Sequence, residues 1–178
     1  MVSDDIEHTV WQGRFITAKT RGKWEYVSRT RGIEAAVILA IDSGEDGDHV
    51  LLVQQYRVPL GADCLELPAG LVGDEDEGEA IELAAGRELE EETGYRAARI
   101  ETIGRFASSP GMVSETFTLV RAHDLEKVSE GGGVEGENIT VHRVKLADIA
   151  AFIAEKRRAG MVMDVKLLTL LGPGLLGR

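Results

Sequence analysis

Three glutamates, Glu88, Glu91 and Glu92, stand at spacings i, i+3 and i+4 in the run Arg87-Glu88-Leu89-Glu90-Glu91-Glu92. On a helix such residues share one face, with Cβ atoms about 5–6 Å apart, and like charges there cost roughly a few tenths of a kcal/mol per pair. Ten carboxylates fall between Asp74 and Glu92, with Arg87 as the only base among them. Arg87 is expected to point elsewhere on the helix, so nothing local offsets the repulsion. A solvated acidic helix face is the plain alternative. The crowding makes chemical sense if a hard divalent cation, Mg²⁺ or Mn²⁺, is the missing partner of these oxygens.

The stretch Gly73 to Tyr95 resembles the Nudix box, G-x5-E-x7-R-E-U-x-E-E-x-G-U with U a bulky apolar residue. Gly73, Glu79, Arg87, Glu88, Leu89, Glu91, Glu92, Gly94 and Tyr95 fill its nine specified positions. The resemblance implies metal-dependent hydrolysis of a nucleoside diphosphate linked to another moiety. It implies Glu88 and Glu92 as metal ligands, with Glu91 a third ligand or one acting through water. The backbone carbonyl of Ala69 would join them, while Glu79 and Arg87 brace the box as an ion pair and Gly73 and Gly94 shape its ends. Three features are similar to ADP-ribose pyrophosphatases: Leu65-Glu66-Leu67-Pro68-Ala69-Gly70 before the box, Pro110 sixteen residues beyond Gly94 and followed by Glu115, and Gln54-Gln55-Tyr56-Arg57 at a strand end. Arg57, Glu66, Arg31 and Glu115 are therefore the candidate substrate-binding residues. In-line attack needs a general base opposite the helix cluster. Glu137 or Glu135 occupies the region that supplies it in similar enzymes, and Glu137 is favoured because it abuts the following strand; Glu91 is the other catalytic candidate. A nucleotide-sugar pyrophosphatase acting on, for example, GDP-mannose and a non-catalytic nucleotide-sensing module are the alternatives.

These residues need elements to hold them. Val10 to Thr17 and Trp24 to Arg29 read as an N-terminal β-hairpin within residues 1–32. Ala35 to Ile41 and Val50 to Tyr56 are apolar runs suited to strands buried on both faces. Cys64 to Pro68 is a short strand, Glu79 to Thr93 a helix stopped by Gly94, and Ile100 to Phe106, Thr116 to Val120 and Ile139 to Leu146 further strands. Between the last two, Ser129 to Asn138 contains Gly131-Gly132-Gly133 and reads as a mobile loop. A helix from Asp148 and another capped by Asp164 complete one α+β domain over 1–178. The resemblance implies a Nudix fold, a mixed sheet held between helices, and a homodimer through the N-terminal strands, where Trp11, Phe15, Trp24 and Tyr26 gather.

Composition sets outer limits. The 178 residues carry 31 acids against 20 bases, a net charge of −11, which disfavours a nucleic-acid partner. The one cysteine, Cys64, rules out an intrachain disulfide and fits a reducing, cytoplasmic setting. No apolar run is long enough for a membrane span. The closing Gly172-Pro173-Gly174-Leu175-Leu176-Gly177 formally fits a dinucleotide-loop pattern but follows a helix and precedes no βαβ unit. His8, His49, His123 and His142 lack metal-ligand spacing.

Overall fold

The computed structural model describes residues 6–30, 33–73 and 78–175. Arg31 and the acidic run Asp74 to Glu77 lie outside the described residues. Eleven strands and three helices follow in chain order: β1 (Glu7–Gln12), β2 (Ile16–Arg21), β3 (Trp24–Arg29), β4 (Glu34–Gly44), β5 (Gly47–Arg57), β6 (Ala62–Glu66), β7 (Ala69–Val72), α1 (Ile81–Thr93), β8 (Tyr95–Ala107), β9 (Thr116–Lys127), β10 (Thr140–Lys145), α2 (Ile149–Arg158), β11 (Val162–Met163) and α3 (Leu168–Leu175). Short 3₁₀ turns precede α2 and α3 and follow β5.

The large sheet is mixed and has helices on both faces. β4 runs antiparallel to β5 and β7 but parallel to β9, so its apolar residues meet partners on every side. Its side chains alternate as a strand requires. Ala36, Ile38 and Ala40 pack with Ala84, Ala85 and Leu89 of α1, whereas Val37 turns to Ile149, Ile153 and Leu167 below. That two-sided burial is why the run reads as continuously apolar. Leu89, fully buried, anchors α1 to the sheet. Leu89→Ala is expected to cost about 3 kcal/mol of stability by leaving a cavity under the helix, read as a lowered urea midpoint with unchanged slope.

Several boundaries differ from the sequence reading. Val10 to Thr17 is not one strand: it breaks at Gly13, whose amide donates to the Ile16 carbonyl at 2.9 Å, and the N-terminal element is a three-stranded antiparallel sheet β1-β2-β3 rather than a hairpin. β8 and β9 extend far past their apolar stretches, paired from Ala107 opposite Thr116 to Tyr95 opposite Lys127 with a register shift between Thr102 and Gly104. Ladder hydrogen bonds sustain those half-exposed polar residues, which periodicity alone reads as loop. β7, hidden in the Pro68-Ala69-Gly70 turn, pairs with β4. The tiny β11 adds in parallel to β6 through Val162 opposite Cys64. Asp164 does cap the turn after it, accepting from the Lys166 amide at 2.7 Å. Among the described residues, no helix is long and apolar enough to cross a membrane.

Gly131 to Gly133 is docked rather than free. The amides of Gly132 and Gly133 donate to the carbonyls of Glu92 and Glu91 at 2.9 and 3.0 Å, and Gly94 N–H takes the Glu90 carbonyl. The loop thereby satisfies the last turn of α1, whose carbonyls have no partners within the helix. The three glycines serve backbone shape, not mobility: all have positive φ.

Candidate active site

A cleft of about 660 Å³ runs from the end of β5 across β6 and β7 to α1, within the size range that takes a small-molecule ligand. Among the described residues, six carboxylates line it: Glu66, Glu88, Glu92, Glu115, Glu137 and Asp164. Against them, among the described residues, stand three cations, Arg29, Arg57 and Lys166. The cleft is thus acidic, an unwelcoming place for an anionic ligand unless a cation enters with it.

Glu92 is the most constrained of the acids. Only 6% exposed, it accepts a hydrogen bond from the Ala69 amide at 3.0 Å. Burial pushes its carboxyl up to about 8, and the negative charges of Glu88, Glu137 and Glu66 push the same way, while the Ala69 amide opposes them. Glu88, one helical turn earlier, lies against the backbone of β7. A Cβ on Gly70 would sit 1.9 Å from the Glu88 carboxyl carbon, so only glycine permits that approach. Glu66 is 5% exposed and gripped by Arg57 through a two-pronged pair, Nε and Nη2 donating at 2.6 and 2.8 Å. That pairing holds the Arg57 charge firmly in place.

Glu91 faces away from this group. At 3.6 residues per turn, Glu92 lies about 40° around the helix from Glu88, and Glu91 about 60° to the other side. It opens instead on an adjoining cavity of about 590 Å³ shared with Arg87, Ser129, Gly131 and Gly133. Arg87 does not point elsewhere, as its position in the run suggested: its guanidinium reaches Glu88 at 3.0 Å, Glu91 at 3.5 Å and Glu79 at 3.6 Å. It therefore offsets part of the repulsion on the ridge while making the expected brace to Glu79. Gly73, φ 80°, closes β7, and Gly94, φ 76°, ends α1 in the left-handed conformation.

Glu88 and Glu92 supply hard oxygen donors with excess negative charge around them, which suits a divalent cation. Among the described residues, no three side chains already form a closed metal-binding cluster. Glu88 is turned to Arg87 and Glu92 to the Ala69 amide, so a metal would draw on donors now spent on protein contacts.

The NUDIX domain family matches residues 31–165. The chain belongs to this family. It is 34% identical to an ADP-ribose pyrophosphatase from Bacillus subtilis over 122 residues, spanning 68% of this chain and 62% of that one. It is 34% identical to a GDP-mannose pyrophosphatase from Cronobacter sakazakii over 149 residues, 79% of this chain and 72% of that one. Its structure superposes on the crystal structure of an ADP compounds hydrolase with a TM-score of 0.69 at 27% identity, covering 97% of this chain and 92% of that one. The Nudix fold expected from the box is the fold observed.

Of the residues singled out in the sequence, Arg57, Glu66, Ala69, Glu88, Glu92, Glu115 and Glu137 meet in the Nudix cleft, whereas Glu91 lies beside it and Glu135 does not line it. Pro110 sits in a turn closed by the Met112 amide on the Ser109 carbonyl, and Met112 in turn pairs with Val27 of β3. Two charged cleft residues escaped the sequence reading. Arg29 pairs with Glu115 from 86 residues away, and nothing local to either announces it. Lys166 binds Asp164 at 2.6 Å and lies over the Phe117 ring. The parallel β11–β6 pairing that carries this pair to the cleft is two residues long, too short to read from a pattern.

Proposed function

We propose that this Nudix protein hydrolyses the diphosphate of ADP-ribose to AMP and ribose 5-phosphate, with Mg²⁺ or Mn²⁺ as its cofactor. The observation that supports the reading is the acidic cleft itself. Glu88 and Glu92 from the box helix face it together with Glu137 from the Gly131 loop, and Arg57, the most exposed of the three cleft cations, is available to a phosphate. Glu88 and Glu92, with the Ala69 carbonyl, would hold the metal, which when bound withdraws charge from the diphosphate oxygens and acidifies water. Glu137 accepts the proton of the attacking water as its oxygen bonds to phosphorus. The bridging P–O bond breaks, and its electrons leave on the second phosphate. Arg57, held as a fork by Glu66, orients the diphosphate.

The decisive experiment is a substrate panel of ADP-ribose, GDP-mannose, NADH, diadenosine polyphosphates and dNTPs with Mg²⁺ or Mn²⁺, scored by product identity. AMP and ribose 5-phosphate released fastest from ADP-ribose is the expected result; preference for dNTPs overturns the reading. GDP-mannose is the second candidate, favoured by the greater share of this chain that aligns with the C. sakazakii relative. Arg57→Lys keeps the charge but loses the fork, and is expected to raise KM about tenfold with kcat within roughly threefold of native, measured by steady-state kinetics.

We also propose a cytoplasmic homodimer joined through the N-terminal sheet. Trp11, Phe15 and Trp24 there are 56%, 63% and 57% exposed, an apolar surface of the kind interfaces cover. Light scattering is expected to give the mass of two chains; a single-chain mass at micromolar concentration would contradict it.

A further inference from the structure

The Gly131–Gly133 turn holds Glu137 as well as the end of α1. Gly132 and Gly133 donate to the Glu92 and Glu91 carbonyls, and the next amide, Val134 N–H, donates to the Glu137 carboxylate Oε2 at 3.0 Å. The Glu137 amide returns to the Val134 carbonyl at 3.1 Å, and Ile139 N–H takes the Gly132 carbonyl. A hydrogen-bonded path two peptides long therefore joins the backbone of Glu92 to the side chain of Glu137. Position 133 is where the carboxylate needs room. A Cβ there would lie 2.3 Å from Glu137 Oε2, 2.9 Å from Ile139 Cδ1 and 3.1 Å from Glu137 Cβ. The nearest of these atoms is the far end of a flexible side chain. It can swing away at little cost to the fold, but only by leaving its seat.

We infer that Gly133 is a positioning residue for the reaction: by lacking a side chain it lets the collar on α1 seat the Glu137 carboxylate at a set distance from Glu92. The inference rests on the proposed role of Glu137 as the general base. It also explains why this loop spends its amides on the helix that carries the metal ligands. Both halves of the site then move as one body, and Glu137 needs no loop closure to find its place.

Gly136 provides the control, because its φ is 99°, as strained for alanine as the 78° of Gly133, yet a Cβ there meets nothing within 4 Å. Gly133→Ala is expected to lower kcat roughly 30–100-fold with KM within twofold, while Gly136→Ala keeps kcat within about threefold of native despite comparable backbone strain. Glu137→Asp shortens the acid by one methylene and withdraws the oxygen that a Cβ at 133 meets most closely, so Gly133→Ala/Glu137→Asp is expected to be no slower than Glu137→Asp alone. Hydrogen exchange on metal-free protein is expected to protect the Gly132 and Gly133 amides as well as the last turn of α1. Equal losses of kcat in the two alanine variants, effects of Gly133→Ala and Glu137→Asp that multiply, or unprotected amides would each overturn the inference while leaving the hydrolase reading intact. A native protein inert on every nucleoside diphosphate sugar would instead sink the reading, and the positioning role with it.

Discussion

Replacing Glu92 by Gln is expected to cut turnover by about 10³-fold or more and, in metal-free buffer at pH 8, to make the protein harder to unfold. The two effects have one cause. Without a cation, Glu92 is a nearly enclosed carboxylate whose proton is held up to about 8 by burial, against 4.5 in the unfolded chain. The native state therefore binds the extra proton, and stability falls as pH rises from about 4.5 to about 8. The loss is then complete, amounting to about 3 kcal/mol already at neutral pH. Gln is neutral throughout, and its amide oxygen still accepts from Ala69 N–H, so the variant escapes the loss. Thermal unfolding in chelator should show native protein less stable at pH 8 than at pH 5 relative to Glu92→Gln. Saturating Mg²⁺ should restore the native protein and leave the variant unmoved, since binding to the folded state alone raises its stability. A variant that unfolds first in chelator at pH 8, or that keeps a tenth of native turnover, would remove Glu92 from the metal site.

How much of this was legible beforehand depends on whether the determinant was local. The box residues sit within one loop and one helix, so their spacing alone brings Glu88 and Glu92 together, and the apolar run of β4 announces its two-sided burial. What failed was tertiary. Arg87 was misplaced because its reach to Glu88 and Glu91 depends on rotamer and packing, not on its position around the helix. The three glycines read as slack because glycine's freedom is visible in a sequence and its use is not. Here that use is a close approach to Thr93 and Gly94, where a Cβ on Gly131 would fall 2.4 and 2.6 Å from backbone atoms. Arg29 and Lys166 reach the cleft through a strand of the N-terminal sheet and a two-residue strand, neither of which marks its cargo in advance.

Glu137→Gln tests the other half of the site. The substitution is isosteric, and the Gln carbonyl oxygen can still accept from Val134 N–H, so the loop should stay on α1 and substrate should bind as before. What is lost is the proton acceptor. Loss of a general base removes a factor of about 10²–10⁴, and it should appear in kcat, with KM within about twofold. Glu135→Gln, two residues earlier but outside the cleft lining, should keep kcat within about twofold; a fall as deep as that of Glu137→Gln would transfer the role. A second readout needs no substrate. The Glu137 charge is one of those that raise the Glu92 proton affinity. Neutralising it eases ionisation of Glu92, so the metal-free variant should lose less stability between pH 5 and 8 than native protein does. If that pH response is unchanged, the two carboxylates do not sense each other across the cleft.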